Sequence, residues 1–130
     1  MKRILVSVLV PAFMLVGLAV NPAIAQDKAK AAHKATNSVK VLHEDDRLRV
    51  TETTTKPGEM SGSLVRGVRV VRILQGGTQE RTYADGKKQK IERKAGEVLV
   101  LGPDKQAYYN KNIGKTTIMT YTVNIKAVKK

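Results

Sequence analysis

The 130-residue sequence contains no cysteine, no tryptophan, one phenylalanine and two histidines. A chain without cysteine forms no disulfides, so an exported form of it would depend on an apolar core for its stability. The two histidines, His33 and His43, have no neighbours at a spacing typical of a zinc site. We therefore predict that the protein binds no metal and needs no cofactor.

Aromatic residues make up only 4% of a strongly basic chain, which has 24 lysines and arginines, 11 acidic residues and a net charge of +13. Proteins that bind single-stranded nucleic acid usually combine a basic groove with aromatic side chains on which bases stack. No run of five or more like charges occurs either. We expect the charge mainly to keep the protein soluble. Binding to polyanions would be weak and salt-sensitive, with no specific binding to nucleic acid.

The N-terminus has the three parts of a secretory signal peptide. Two basic residues follow Met1, an apolar stretch runs from Ile4 to Val20, and Ala23-Ile24-Ala25 follows. We predict that residues 1–25 are a signal peptide cleaved after Ala25. The alternative is an uncleaved membrane anchor, since the apolar stretch is about long enough to span a bilayer. Cleavage predicts a periplasmic or secreted protein that has no membrane span.

The remaining chain divides into three parts. Residues 26–38 are rich in alanine and lysine and lack large apolar side chains, which predicts a flexible lead-in. Residues 39–126 form the predicted domain, and residues 127–130 form a basic tail. Cleavage removes two basic residues with the leader, so the net charge of +13 falls to +11.

Turn signals recur about every ten residues and predict an all-β domain built from short strands. The longest apolar run, Leu64 to Leu74, is rich in β-branched residues and favours a strand, on which Arg66 and Arg72 share one face and Arg69 the other. We expect Val98 to Leu101 to be a buried strand. In the last strand, Thr116 to Ile125, we expect a buried face formed by Met119, Tyr121, Val123 and Ile125. The turn signals are Pro57-Gly58, Gly76-Gly77, Asp85-Gly86, Ala95-Gly96, Gly102-Pro103 and Asn112-Ile113-Gly114.

The order of these motifs resembles the cupin superfamily over residues 39–126. The similar segments are the opening Val41 to Val50, Pro57-Gly58, the strand that ends at Gly76-Gly77, and the turn Asn112-Ile113-Gly114. The resemblance implies a double-stranded β-helix, which is a jelly-roll barrel.

The residues that would bind a metal in a cupin are replaced here. Gly58 and Gly77 match the glycines of the first family motif, yet Leu64, Arg66 and Val70 stand at its ligand positions. In the second motif Gly96, Pro103 and Asn112 match, and Tyr108 replaces the histidine. Because these side chains are unsuited to a metal, the resemblance implies a metal-free barrel. The candidate pocket residues are Arg66, Tyr108, Leu64 and Val70.

We expect a non-catalytic binding or accessory module of the cell envelope. If Arg66 and Tyr108 face the barrel interior, the arginine needs a counter-charge, which predicts a small anionic ligand such as a carboxylate. Alternatively, Arg66 reaches past the barrel wall to water.

Two further hypotheses remain. One is a metal-independent cupin-type isomerase or lyase, with Tyr108 as its acid and Arg66 as its anion clamp, although the sequence shows no general base beside them. The other is a structural or interaction protein, because the resemblance also implies a homodimer.

Overall fold

The computed structural model describes residues 34–128, which form eight strands and no helix. The all-β prediction is confirmed. The predicted signal peptide, most of the lead-in and the end of the tail lie outside the described residues. The strands are β1 (Ser38–Glu44), β2 (Leu48–Thr55), β3 (Arg69–Gln75), β4 (Gly77–Tyr83), β5 (Lys88–Arg93), β6 (Val98–Leu101), β7 (Tyr108–Asn112) and β8 (Ile118–Ile125).

The strands form two antiparallel sheets. The larger sheet has the order β1-β2-β8-β3-β6, and the smaller has the order β5-β4-β7. Strands far apart in the chain are paired, since β8 lies between β2 and β3. The two sheets face each other and enclose the space described below. The described residues include no helix long and apolar enough to cross a membrane.

Glycines occupy the turns whose backbone conformation or close packing other residues rarely tolerate. Gly58, Gly86 and Gly96 have φ of 84°, 86° and 84°, which side chains with a Cβ rarely adopt. Gly76 separates β3 from β4, and a Cβ at this residue would overlap the carbonyl of Arg93. These turns lie at positions that the sequence signals predicted, which explains why the strand order along the chain could be anticipated.

The prediction for the buried face of β8 is wrong. Ile118, Thr120, Thr122 and Asn124 face the smaller sheet. The alternate residues point outward, and Tyr121 and Ile125 are 36% and 47% exposed. The physical reason is that the outward side chains of β8 lie beside apolar side chains of the neighbouring strands on the same outer surface. The inward side chains of β8 include polar ones, which line the interior.

Two further strand predictions need correction. Val98 and Val100 of β6 are 57% and 79% exposed, so this strand is not buried as a whole. β3 begins at Arg69, and Leu64 makes only an isolated bridge to Tyr108. Because the chain before Arg69 does not follow the strand alternation, Arg66 and Arg69 both line the interior.

Candidate functional site

A cavity of about 670 Å³ lies between the two sheets. Within the described part of the chain, its lining includes six positively charged side chains and no carboxylate or imidazole. The positive charges reach it from both sheets and from the segment before β3. They belong to Arg49, Arg66, Arg69, Arg81, Arg93 and Lys126.

Strand alternation explains why these charges converge. On β2 the residues from Arg49 to Thr55 at every second position face inward, and Arg49 lies directly opposite Asn124 of β8. Asn124 in turn lies opposite Arg69 of β3. On β4, Arg81 lies opposite Asn110 of β7. Directly opposed residues in antiparallel strands point to the same face, so each of these pairs is presented to the cavity.

Tyr108, at the start of β7, is the most deeply buried aromatic residue of the site, with 4% of its surface exposed. The guanidinium carbons of Arg66 and Arg81 lie 4.5 and 4.0 Å from its ring centroid. Tyr83 meets the same ring edge-on, with the centroids 5.8 Å apart. Cation–π contacts of this kind hold a guanidinium against an aromatic ring without neutralising its charge.

Arg66 is fixed by hydrogen bonds to acceptors that carry no negative charge. Its guanidinium donates to the carbonyl oxygens of Leu64 and Tyr108, each at 3.1 Å, and to that of Gly62 at 3.2 Å. It also donates to Ser61 Oγ at 3.4 Å. Burial lowers the pKa of Arg66, because desolvation disfavours the charged form. Of the two placements considered for Arg66, the structure has the one in which it lines the cavity.

Arg69 is buried and paired with a carboxylate. Its Nη2 donates to Asp104 Oδ1 at 3.0 Å and to the Tyr108 hydroxyl at 2.6 Å. The side chains of Arg69 and Asp104 are only 5% and 12% exposed. Asp104 also accepts from the backbone N–H of Arg66 at 2.9 Å. This ion pair compensates one buried charge and orients Tyr108.

Arg66 and Arg81 have no ion-pair partner in the part of the chain that the structure describes. Arg81 Nε donates to Asn110 Oδ1 at 3.0 Å. Arg93 lies 3.9 Å from a Glu97 carboxylate oxygen, and burial lowers the pKa of Arg93 while Glu97 opposes that effect. The result is an excess of positive charge around Tyr108, a geometry suited to receiving an anion.

The residues at the positions of the cupin metal ligands do not fit a metal centre. Leu64 and Tyr108 line the cavity at two of the ligand positions and Arg66 at a third, and none of them is a usual metal ligand. Among residues 34–128 no group of three or more histidine, cysteine, aspartate and glutamate side chains could hold a metal. His43 is exposed on β1, where its ring contacts Asp45 at 3.2 Å.

The structure brings three of the four predicted pocket residues to the cavity: Leu64, Arg66 and Tyr108. Val70 is not among them, because Arg69 and Val71 point inward on β3 and Val70 therefore points outward. Sequence reasoning missed Arg81. The family motifs do not cover this part of the chain, and Arg81 reaches the cavity because β4 pairs with β7, where Arg81 lies opposite Asn110.

No family model matches the sequence, and no curated protein is similar enough to count as a match. Several solved structures are similar in fold. The crystal structure of a cupin domain from Bordetella pertussis Tohama I has a TM-score of 0.63 at 20% identity, covering 72% of this chain and 97% of that one. An RmlC-like cupin family protein with a double-stranded β-helix fold, from Methanocaldococcus jannaschii, has a TM-score of 0.55 at 14% identity, covering 71% and 82%.

A third similar structure is that of a candidate sugar phosphate isomerase from Acidithiobacillus ferrooxidans. Its TM-score is 0.52 at 16% identity, and the match covers 72% of this chain and 61% of that one. At these identities the similarities establish the double-stranded β-helix, and the cupin resemblance of the sequence is confirmed for the fold.

Proposed function

We propose that this cupin-fold protein is a binding module that holds a small anion between its two sheets. The observation that carries the proposal is the pair of guanidinium groups, Arg66 and Arg81, that contact the Tyr108 ring and have no carboxylate partner among residues 34–128. The anion would enter a cavity whose lining, among residues 34–128, has six positive charges and no negative one. Four of these charges have ion-pair partners outside the lining, which leaves Arg66 and Arg81 unpaired.

The energetic argument rests on desolvation. A buried charge is costly unless it is paired or hydrogen-bonded, and a guanidinium pairs best with a carboxylate or phosphate, to which it donates two parallel hydrogen bonds. Arg69 meets this need within the protein through Asp104. Arg66 and Arg81 would meet it through a ligand.

The test is ligand-dependent thermal stabilisation of the purified protein with acetate, benzoate, succinate and inorganic phosphate. An anion that binds only the folded protein raises its melting temperature as its concentration passes the Kd.

We expect Arg66→Gln and Arg81→Gln each to abolish the shift. Arg47→Gln is the matched control, because its side chain is 80% exposed, away from Tyr108. No shift with any of the four anions, or a shift that survives in both cavity variants, would overturn the proposal.

The enzyme alternative has less support. An isomerase or lyase needs a general base within reach of its substrate, and no carboxylate or imidazole from residues 34–128 lines the cavity. The Tyr108 hydroxyl accepts a hydrogen bond from Arg69, which is consistent with a role in positioning a ligand. We therefore retain binding as the proposed activity.

A second proposal concerns the outer surface of the larger sheet. Val50, Val123, Val70 and Val100 lie in one row across β2, β8, β3 and β6. Val100, at the β6 end of this row, is 79% exposed. We propose that a second copy of this chain packs against this valine row.

The neighbouring row supports a two-fold symmetric partner. Glu52, Tyr121 and Arg72 lie side by side across β2, β8 and β3, with the opposite charges on either side of the tyrosine. A two-fold axis along β8, between two sheets packed face to face, places Glu52 of each copy opposite Arg72 of the other. Apolar area at the centre with complementary charge beside it is typical of protein–protein interfaces.

Sedimentation equilibrium tests the dimer. We expect the protein to be dimeric at micromolar concentration and Val100→Asp to be monomeric and folded. Ile113→Asp is the control, because Ile113 is 44% exposed in the turn after β7, on the other sheet. A monomeric wild type, or a Val100→Asp variant that remains dimeric, would contradict the proposal.

The cellular location is part of the proposal and rests on the predicted signal peptide alone. The protein would act as an accessory module in the periplasm or outside the cell. Its net positive charge would give weak polyanion binding that falls steeply with salt, because each contact releases a counterion.

A further inference from the structure

The positive charge outside the cavity is concentrated on the side of the smaller sheet. Residues 77–94 and 105–117 form β4, β5, β7 and the loops beside them. Apart from the six basic side chains that line the cavity, these segments carry seven basic and three acidic residues. The other described residues carry five basic and seven acidic ones. The outer surface is therefore basic on one side of the molecule and slightly acidic on the other.

Lysines occupy the outer face of the smaller sheet. Arg81 of β4 lines the cavity, so its neighbour Glu80 lies on the opposite face. In the strand register Glu80 lies between Lys90 of β5 and Lys111 of β7. Lys88 lies two residues before Lys90 and shares its face. Lysines 88 and 90 are ~7 Å apart along β5, and lysines 90 and 111 are ~10 Å apart across the sheet, so the three charges spread in two directions.

The acidic side chains of this side already have partners. Glu80 and Asp85 each pair with a nearby lysine, at 3.2 and 4.0 Å. Glu92 accepts a hydrogen bond from the Thr78 hydroxyl at 2.8 Å. Five lysines of the two segments have no ion-pair partner among residues 34–128, and their charges can attract an anion from outside. They are Lys90, Lys94, Lys105, Lys111 and Lys115.

The lysines of β5 have a simpler explanation, since charged side chains protect an edge strand from pairing with other chains. That explanation does not extend to Lys111. β7 is not a free edge there, because Met60 forms a bridge to Lys111 on the far side from β4. The edge alone therefore does not account for the basic face.

The type of basic residue also differs between the two faces of the smaller sheet. The inward ones are Arg81 and Arg93, and the outward ones on β5 and β7 are lysines. An arginine presents a rigid fork that suits one anion in a fixed geometry. A lysine carries a point charge on a flexible stem, which suits phosphate groups whose positions vary.

We propose that the outer face of the smaller sheet docks the protein on an anionic lipid surface, with its lysines among the headgroup phosphates. A linear polyanion would follow one row of charges, whereas lysines spread in two directions match a planar array of headgroups. Among the large apolar residues of the two segments, only Ile113 is exposed, so the contact is electrostatic and does not enter the hydrocarbon. The inference rests on the polyanion binding included in the proposed function and gives it a surface and a partner.

The experiment is co-sedimentation of the purified full chain with vesicles. One set contains equal parts of phosphatidylglycerol and phosphatidylcholine, and the other contains phosphatidylcholine alone, which reports any binding through the apolar leader. We expect binding to the anionic vesicles that falls steeply between ~50 and ~200 mM salt, because salt screens exposed charges. We expect little binding to the neutral vesicles.

The double variant Lys90→Gln, Lys111→Gln should bind the anionic vesicles at least ~10-fold more weakly, because each basic residue near such a surface contributes about fivefold in affinity. The matched control is Lys40→Gln, Arg47→Gln, which removes the same charge from exposed residues of β1 and of the turn after it. It should change binding by less than ~2-fold. Anion-dependent thermal stabilisation through the cavity should be the same in both double variants.

Three results would overturn the inference. If both double variants weaken binding equally, the lysine face has no special role and polyanion binding is a diffuse effect of net charge. If Lys90→Gln, Lys111→Gln weakens binding to soluble heparin but not to the vesicles, the face belongs to a linear polyanion. If the wild type binds neither heparin nor anionic vesicles at low salt, the proposed polyanion binding itself fails.

Discussion

The inner and outer faces of the larger sheet carry different classes of side chain. The inner face presents threonine, asparagine and arginine side chains, as at Thr51, Asn124 and Arg69, together with apolar ones such as Val71 and Ile73. The outer face carries the valine row, in which Val100 is 79% exposed and Val50 is buried. In a half-buried sheet of a monomeric protein, the apolar side chains usually face inward and the polar ones outward. The larger sheet departs from this pattern, because polar side chains share its inner face with apolar ones and Val100 is 79% exposed on its outer face.

This arrangement leaves a small apolar core. The buried apolar residues among those described are Val50, Ile73, Tyr108 and Ile118. One of them, Val50, belongs to the outer valine row. A domain of this size depends on apolar burial for most of its stability, so a ligand inside and a partner outside would each add to a modest intrinsic free energy of unfolding.

The largest effect we predict comes from the buried ion pair of Arg69 and Asp104. Asp104→Asn leaves the Arg69 guanidinium buried beside other arginines without its counter-charge. Removing one partner of a buried pair is strongly destabilising, and we expect a loss of about 3 kcal/mol in the free energy of unfolding, measured by urea denaturation.

The control for this measurement is Asp46→Asn, because Asp46 is exposed in the turn between β1 and β2. It should change the free energy of unfolding by less than about 0.5 kcal/mol. A loss of similar size in both variants would mean that the buried charge of Arg69 depends no more on its partner than an exposed charge does. The two faces of the larger sheet would then not differ in how electrostatics contributes to stability.

A smaller effect distinguishes neighbouring residues of β8. Thr122→Val replaces an inner hydroxyl without an internal partner by a methyl group, so we expect the free energy of unfolding to stay level or to rise by up to about 1 kcal/mol. Val123→Thr makes the reverse change on the outer face and should lower it by about 1 kcal/mol. Chemical denaturation of both variants measures this.

A rise would show that the fold does not require the Thr122 hydroxyl. Destabilisation by more than about 1 kcal/mol would instead show that the Thr122 hydroxyl serves the fold.

The sequence predicted the fold better than the site, for identifiable physical reasons. Turns such as Pro57-Gly58 and Asp85-Gly86 need residues with special backbone conformations, and these are visible in the sequence. The strand faces were assigned on the assumption that apolar side chains point inward. At β8 that assumption failed, because Thr120 and Thr122 line the cavity and Tyr121 points out.

The pocket residues illustrate the same limit. Motif spacing placed Arg66 and Tyr108 in the interior, where the structure also has them. It placed Val70 there too, although strand alternation turns Val71 inward. Arg81 lies in a part of the chain with no matched ligand motif, so only the pairing of β4 with β7 brings it to Tyr108.

The smallest effect we predict concerns a carboxylate outside the cavity, at the turn between β1 and β2. Backbone N–H groups of Leu48 and Arg47, followed by the His43 ring, lower the pKa of Asp45 from 3.8 to about 2. Because the folded-state pKa lies below the unfolded one, the stabilisation is present above pH 3.8 and is lost as the pH falls towards 2.

Asp45→Asn should therefore flatten the fall of the urea midpoint between pH 4 and pH 2, by a small amount because the side chain is exposed. Some slope should persist, since hydrogen bonding and charge attraction from Lys126 lower the pKa of the neighbouring Glu44 as well. Identical pH profiles for the wild type and Asp45→Asn would show that this exposed turn, unlike the buried pair of Arg69 and Asp104, contributes nothing measurable through its charge.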